Sequence, residues 1–376
     1  MHYAPTRGIF FQEQVEALHD CGVRMGVIYP NFRGLRSVSL DGDVFRDHFQ
    51  TSFSVESDVP VYRFHGWNPR IEWIHKCAFC KESQRLMRLY VKNHGQPDLI
   101  HAHSTVWGGV AAQELSNMYD IPYVITEHST AFQRGKIDEW QKPYIRTSCE
   151  DADAVWAVST SLKQELDTYV GKSNIGVIPN MVDTNSFRLP PQERPNSPFA
   201  FLSVGGLTRR KGLDILLRAF QKVKVRHSDI RLDIVGDGPR QESLKRLANI
   251  LDIQTSVHFH GQLPKEGVRN MMWQSNALVS TSYTETFGVV LIEAIATGIP
   301  VIATESGGPQ DIITDKVGQL VNVGDVVSVC KAMEDVMASV KNSSIYNKNY
   351  IRQYAVDNYG KKEISKRITK KYRYII

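Results

Sequence analysis

Residues 199–236 read FAFLSVGGLTRRKGLDILLRAFQKVKVRHSDIRLDIVG. The run Phe199–Gly205 is apolar, short and closed by glycine, which suits a strand buried on both faces. From Leu213 onward the apolar positions are Leu213, Leu216, Leu217, Phe220 and Val223, the three-to-four spacing of one helix face. A second apolar run, Arg231–Gly236, ends the stretch. Strand, glycine turn, helix and strand make a βαβ unit, and such units build parallel sheets.

The same alternation extends in both directions. Upstream, strands are expected at Arg24–Tyr29, Val59–Phe64, Asp98–His103, Tyr123–Glu127, Ala154–Ser159 and Ile175–Ile178, with amphipathic helices such as Phe10–Cys21 and Ile71–Asn93 between them. Downstream they are expected at Val257–Gly261, Ala277–Ser282, Pro300–Thr304 and Gly318–Val323. Between the halves, Phe187–Pro198 holds four prolines in twelve residues, which neither a helix nor a central strand accommodates. The expected organisation is an α/β chain of two doubly wound, Rossmann-like domains facing a cleft. Residues 1–188 form the first, 189–198 a linker, and 199–345 the second. A C-terminal helical segment, 346–376, packs back toward the first domain. The first helix follows Met1 after about ten residues with no apolar strand ahead of it, so either the N-terminal sheet lacks its first strand or the start codon is placed late.

Bulk properties narrow the function classes. The 376 residues exceed what one hydrophobic core usually organises. A net charge of +5 suits an anionic ligand or acidic lipid head groups and falls short of a nucleic-acid footprint, so no nucleic-acid partner is expected. Five cysteines, an odd number in a long chain, point to a reducing compartment. With no secretory leader pattern and no apolar run of membrane-spanning length, the chain reads as cytoplasmic.

The chemistry concentrates in Glu285-Thr-Phe-Gly-Val-Val-Leu-Ile-Glu293, which follows an expected strand and opens a helix. Glu285 lies in the loop and Glu293 about one and a half turns into the helix. Each carboxylate can accept hydrogen bonds from a vicinal diol. Between them the amides of Phe287, Gly288 and Val289 point from a positive helix end toward any diphosphate, and Gly288 lets that ligand approach the backbone. Two solvated surface glutamates on a structural helix would leave the same spacing.

That motif continues into Gly298-Ile-Pro300 and Gly307-Gly308-Pro309. With it stand Gly205-Gly206-Leu-Thr-Arg-Arg210-Lys211-Gly212, Val235-Gly-Asp-Gly-Pro239, Ile178-Pro-Asn180-Met-Val-Asp183 and Gly8-Ile-Phe-Phe-Gln-Glu-Gln, in order. Together they resemble the signature of glycosyltransferase family 4 over essentially the whole chain. The resemblance implies the GT-B fold and a retaining, metal-independent hexosyl transfer from a nucleotide-diphosphate sugar, which is a co-substrate, with no cofactor. It implies that Glu285 holds donor-sugar hydroxyls, that Glu293 holds the ribose, and that Arg210 and Lys211 pair with the diphosphate. It also places His128, in Thr126-Glu-His128-Ser, beside the reacting centre. Gly8 directs its amide to the donor phosphate, and Leu263 meets the base. Many relatives carry arginine where this chain has Gly206, leaving open whether Arg209 or Arg210 takes its place. His103, at the end of the preceding strand, is a weaker acceptor-side candidate. The acceptor implied is a saccharide or lipid-linked saccharide in cell-surface polysaccharide assembly.

Other strings carry less. Asp151-Ala-Asp153 and Asp41-Gly-Asp43 resemble metal-binding pairs but read as polar strand entries and loops, and Cys77-Ala-Phe-Cys80 has zinc-like spacing without a second ligand pair. The basic run from Lys361 reads as a solvated last helix, with peripheral docking on an acidic membrane, at its inner face, as the second reading. Two rival functions use the same residues: a nucleotide-sugar epimerase, which needs no acceptor, and a non-catalytic nucleotide-sugar binder.

Overall fold

The computed structural model describes residues 9–33, 49–69, 71–171, 175–195, 197–342 and 345–376. Gly8 and the Asp41/Asp43 pair lie outside the described residues. The chain forms two compact units. One comprises the chain up to Val158 with Lys163–Ile178 and Ser365–Ile376; the other comprises Ser159–Leu162 and Pro179–Ile364.

In the first unit the described strands form two sheets. Strands β1 (Val27–Arg33), β2 (Gln50–Glu56) and β3 (Val59–Trp67) take the order β1-β3-β2. Strands β4 (Ile100–His103), β5 (Tyr123–Glu127), β6 (Ala154–Ala157) and β7 (Ile175–Val177) pair in sequence order, all parallel. Every residue of β5 is buried, the apolar Tyr123, Val124 and Ile125 together with the polar Thr126 and Glu127. One apolar core serves both sheets. Tyr62 and Phe64 of β3 meet Leu86, Met87 and Tyr90 of the helix Glu72–His94, and Ile28 of β1 and Ile100 of β4 pack on the same cluster.

Strand β2 departs from the sequence expectation, which held only parallel strands and none over residues 50–56. It runs antiparallel to β3 through a tight turn whose residues Ser57 and Asp58 both have positive φ, 49° and 63°. Such turns match the twist of a hairpin. Ser-Asp lacks the usual Asn-Gly signal, and the half-exposed sequence QTSFSVE has no buried run to reveal it.

The second unit is a six-stranded parallel sheet. Its strands are β8 (Phe199–Val204), β9 (Ile230–Val235), β10 (Val257–Phe259), β11 (Ala277–Ser280), β12 (Val301–Thr304) and β13 (Gly318–Val321), in the order β10-β9-β8-β11-β12-β13. The order reverses between β8 and β11. Connections therefore leave those neighbours in opposite directions and open a crevice at their C-terminal ends. The helix Leu213–Arg226 buries the face read from the sequence, Leu213, Leu216, Leu217, Phe220 and Val223. Each such side chain contributes about 1.5–3 kcal/mol by leaving water.

The proline-rich stretch is fixed from within this unit. Arg352, on the helix Lys348–Tyr359, donates to the carbonyls of Thr184 and Phe187 at 3.0 Å and of Ala296 at 2.9 Å. Trp273 donates its indole N–H to the carbonyl of Arg188 at 2.7 Å. One guanidinium thus serves three carbonyls that no ladder reaches. Arg352→Met, which keeps the stem and removes the donors, is expected to cost about 2–4 kcal/mol. A fall in the urea midpoint measures it, and an unchanged midpoint would show that water replaces the guanidinium.

Candidate active site

In the second unit, three loops meet at the crevice. Strand β8 runs through Gly205 and Gly206 into a short turn, Arg209–Lys211, ahead of the helix Leu213–Arg226. Strand β11 runs through residues 281–288 into the helix Val289–Ala296. Hydrogen bonds join these loops: the Tyr283 amide donates to the Arg210 carbonyl at 2.7 Å, and the Thr281 hydroxyl donates to the Gly212 carbonyl at 3.0 Å. The third loop follows β12 and pairs with Glu285, whose amide donates to the Ser306 carbonyl and whose carbonyl accepts from the Gly308 amide. Gly308 is required there, since a Cβ would lie 2.3 Å from the Phe287 Cα.

This stitching brings together the charged residues read from the sequence. Lys211 Nζ lies 2.6 Å from Glu285 Oε2, and an Arg210 guanidinium nitrogen lies 3.7 Å from the same oxygen. Arg210 also donates to the Thr284 carbonyl at 2.9 Å, which fixes its direction. Glu285 and Lys211 are mostly buried, with side chains 13% and 18% exposed. Gly288 caps the following helix at φ +102°, a conformation that disfavours any side chain. The Phe287 ring is buried edge-on against Tyr359, so the side chain anchors the loop while the backbone turns outward. Val289 and Glu293 are half-buried on the first turns of that helix. Lys211 also lines a recess with Ser203, Gly205, Ser280 and Thr281 at the ends of β8 and β11.

Gly206 is different. A Cβ there meets only the Asp237 carbonyl oxygen, at an ordinary 3.8 Å, so the backbone does not demand glycine. Leu263 is half-buried in the loop after β10, at the sheet edge and two strands from β8.

In the first unit, His103 ends β4 and His128 follows β5. The parallel register pairs His103 with Thr126, which sets the two strand ends side by side. His103 Nδ1 lies 3.1 Å from His128 Nε2, and the Phe11 ring packs on both imidazoles with centroids at 4.8 and 5.1 Å. His101 stacks on His103 at 4.5 Å, and its two nitrogens bond the Thr126 hydroxyl at 2.7 Å and the Tyr372 hydroxyl at 2.5 Å. Burial pushes the His103 imidazole down to about 4, and it holds His101 well below the usual value.

The loops carrying these histidines depend on Glu127, a fully buried carboxylate. One oxygen accepts from the Thr105 amide and hydroxyl, both at 2.7 Å. The other accepts from the His128 and Ser129 amides at 2.8 and 2.7 Å. The first of these loops is strained: Ser104 and Trp107 hold φ of 77° and 61° without being glycine. Sequence reading missed the parts played by Glu127, Thr105, Phe11 and Tyr372. Glu127 left one trace, a glutamate at the end of an apolar strand directly before the histidine.

The discounted strings find structural partners. Asp153 accepts from the Tyr123 amide and Asp151 from Gln113. Among the described residues no three His, Cys, Asp or Glu converge as metal ligands. Cys80 is buried, with its thiol pushed up to about 12 by burial, and Cys77 is exposed.

Two outcomes are expected. Glu127→Gln turns an amide toward two donors and loses two charge-assisted bonds, for about 3–6 kcal/mol, read as a lowered urea midpoint. The second concerns pH. An unfolded chain takes up a proton at each imidazole near 6.5, whereas folded His103 resists until about 4. Stability from His103 is therefore full above 6.5 and is lost as pH falls toward 4. The loss of unfolding free energy between pH 7 and 5 should shrink in His103→Gln. Equal losses in both proteins would show that His103 protonates freely while folded.

Comparisons with known proteins agree with this architecture. Residues 8–186 match the family model Glycosyltransferase Family 4, and residues 187–368 match Glycosyl transferases group 1. The chain is 27% identical over 326 residues to the putative teichuronic acid biosynthesis glycosyltransferase TuaC of Bacillus subtilis, covering 81% of this chain and 78% of that protein. Sucrose-phosphate synthase of Thermosynechococcus elongatus superposes with a TM-score of 0.80 at 22% identity, over 99% of this chain and 94% of its own. Anabaena HepE, solved with UDP, superposes with a TM-score of 0.72 at 17% identity, over 93% and 100% of the two chains. Both structures share the two-domain GT-B fold. With its two halves matched in tandem, the chain belongs to the family-4 type glycosyltransferases.

Proposed function

We propose that this glycosyltransferase takes its sugar from a nucleotide-diphosphate donor bound in the crevice of the second unit. The observation that supports this most is the convergence of Lys211 and Arg210 on Glu285 at the entrance of the helix capped by Gly288. Glu285 neutralises Lys211 across 2.6 Å. A diphosphate offers the cations more charge and more acceptor oxygens than one carboxylate. Its arrival draws Lys211 and Arg210 onto phosphate and releases Glu285 to hold sugar hydroxyls. The amides of Phe287, Gly288 and Val289 complete the anion site, Glu293 takes the ribose, and Leu263 borders the base. That HepE was solved with UDP, and with UDP and glucose, supports a nucleotide-sugar donor here.

Transfer proceeds with retention, the acceptor attacking on the face that the diphosphate leaves. The departing oxygen takes the acceptor proton, and Arg210, Lys211 and the helix amides stabilise the leaving charge without a divalent ion. Glu127, whose two oxygens each already accept two bonds, is unsuited to serve as the nucleophile of a double displacement. His128 stands beside the reacting centre, and His103 on the acceptor side. The acceptor is a saccharide or lipid-linked saccharide, reached from the cytoplasmic face of a membrane. No described helix is long and apolar enough to cross one.

A thermal-shift screen of nucleotide sugars tests the donor site. A donor present at about one hundred times its Kd adds about 2.7 kcal/mol of stability. Glu293→Ala should shrink the shift for every good donor, and Lys211→Met should abolish it. Shifts identical to wild type in both variants would remove the crevice from donor binding. With a stabilising donor in hand, product analysis should show sugar moved to an added acceptor in the presence of EDTA. Altered donor configuration without transfer would instead establish an epimerase, and binding without turnover a non-catalytic receptor.

A further inference from the structure

The helix Glu72–His94 has an outward face that sugar transfer does not use. Its inward face buries Cys80, Ser83, Leu86, Met87 and Tyr90. Trp73, Cys77, Lys81, Arg85, Arg88 and Lys92 are all exposed, and their spacing of three or four residues sets them in one line. That line is roughly 28 Å long at 1.5 Å per residue. An ordinary solvated helix face interleaves acids with its bases. Here the helix carries only Glu72 and Glu82, and Glu82 pairs with Arg85 at 3.4 Å. Among the described residues no ion pair reaches Lys81, Arg88 or Lys92.

Apolar side chains stand exposed at both ends of this cationic row. At the N-terminal end, Ile71 is 51% and Trp73 62% exposed. Beside them, Lys76 lies 3.8 Å over the half-exposed Tyr144 ring, which packs edge-on to Trp140. At the C-terminal end Phe53, 55% exposed, lies 6.4 Å from the His94 ring, and exposed Arg24 donates to the His94 carbonyl. Large exposed apolar groups that frame a row of unbalanced cations fit a surface that is anionic at its face and apolar beneath. A nucleic acid would satisfy the cations and leave Ile71, Trp73 and Phe53 in water.

We propose that the helix Glu72–His94 docks the first unit on a bilayer containing anionic lipids. Lys81, Arg85, Arg88 and Lys92 lie over the phosphates, and Trp73 and Ile71 enter the headgroup region. The acceptor is then one presented at that surface. This last step rests on the proposed transfer; the docking does not.

Sedimentation of the full chain with vesicles tests it. Vesicles of phosphatidylcholine with phosphatidylglycerol should retain the protein at low salt and release it at high salt, and phosphatidylcholine alone should not retain it. At about 1 kcal/mol, or roughly fivefold, per cation near the surface, Lys81→Gln/Arg88→Gln/Lys92→Gln should lower the partition coefficient about 100-fold. Trp73→Ala should lower it severalfold. All these positions are exposed, so the variants should unfold at the wild-type temperature, and a nucleotide-sugar thermal shift should be unchanged in each. Wild-type retention of the triple variant overturns the proposal. So does retention lost only on replacing Lys362, Lys366 and Lys370 of the last helix, or tighter binding to single-stranded DNA than to anionic vesicles. Vesicle binding that depends on the row, without any donor shift in wild type, would leave docking standing while removing the donor-site reading.

Discussion

Two parallel strands that pair with each other while their connections leave in opposite directions cannot be covered at their C-terminal ends. In the second unit β8 and β11 are such a pair. Everything at the candidate donor site answers that constraint. The loops after β8 and β11 bond each other through the Tyr283–Arg210 and Thr281–Gly212 bonds. Their side chains are forced together in a recess with little solvent, where Lys211 and Glu285 neutralise one another. The ion pair is thus a product of topology before it is a feature of binding. Among the described residues, the largely buried Lys211 ammonium has its ion pair with Glu285.

The first unit solves a similar problem with a buried charge. The ends of β4 and β5 lie in register, and the loops that leave them carry His103 and His128. Glu127 ties both loops to one carboxylate, with two donors from each side. A neutral side chain could accept fewer bonds, so four donors on two oxygens suit an ionised carboxylate. The strained backbone at Ser104 and Trp107 is held in the same network, since Thr105 between them supplies two of the four donors. That strain is kept beside two imidazoles at the end of a strand. Burial, meanwhile, holds the His101 and His103 imidazoles below the usual range and so favours their neutral form near neutral pH.

Much of this was legible in the sequence because it rests on local signals. Apolar runs, glycine turns and one-sided helices located the six strands of the second unit and six of the seven described in the first. The same locality placed Arg210, Lys211 and Glu285 on strand-following loops. It could not show that Lys211 and Glu285, 74 residues apart, would touch, because that contact depends on strand order. The hairpin strand β2 escaped because half-exposed strands carry no buried run, and its turn uses Ser57 and Asp58 in place of glycine. Tyr372 had no signal at all: it sits in a basic tail whose charge dominates any reading, and only folding brings it 2.5 Å from His101.

That last contact changes what the C-terminal helix is for. Its exposed Lys362, Lys366 and Lys370 invite an electrostatic reading, yet Ile364, Ile368 and Tyr372, each four residues apart, form its buried edge. The helix is therefore held by an apolar stripe that ends in a hydroxyl directed at His101. Through His101, stacked on His103, the final turn of the chain reaches the imidazole pair by two contacts. The basic face and the buried edge can vary independently, because a helix separates them by half a turn. In the helix Glu72–His94 the same separation leaves the core face fixed by Leu86 and Tyr90 and the outer row free to answer to whatever surface it meets. A fold built from one-sided helices can thus carry its reaction at the strand ends and its attachments on the helix backs, with neither constraining the other.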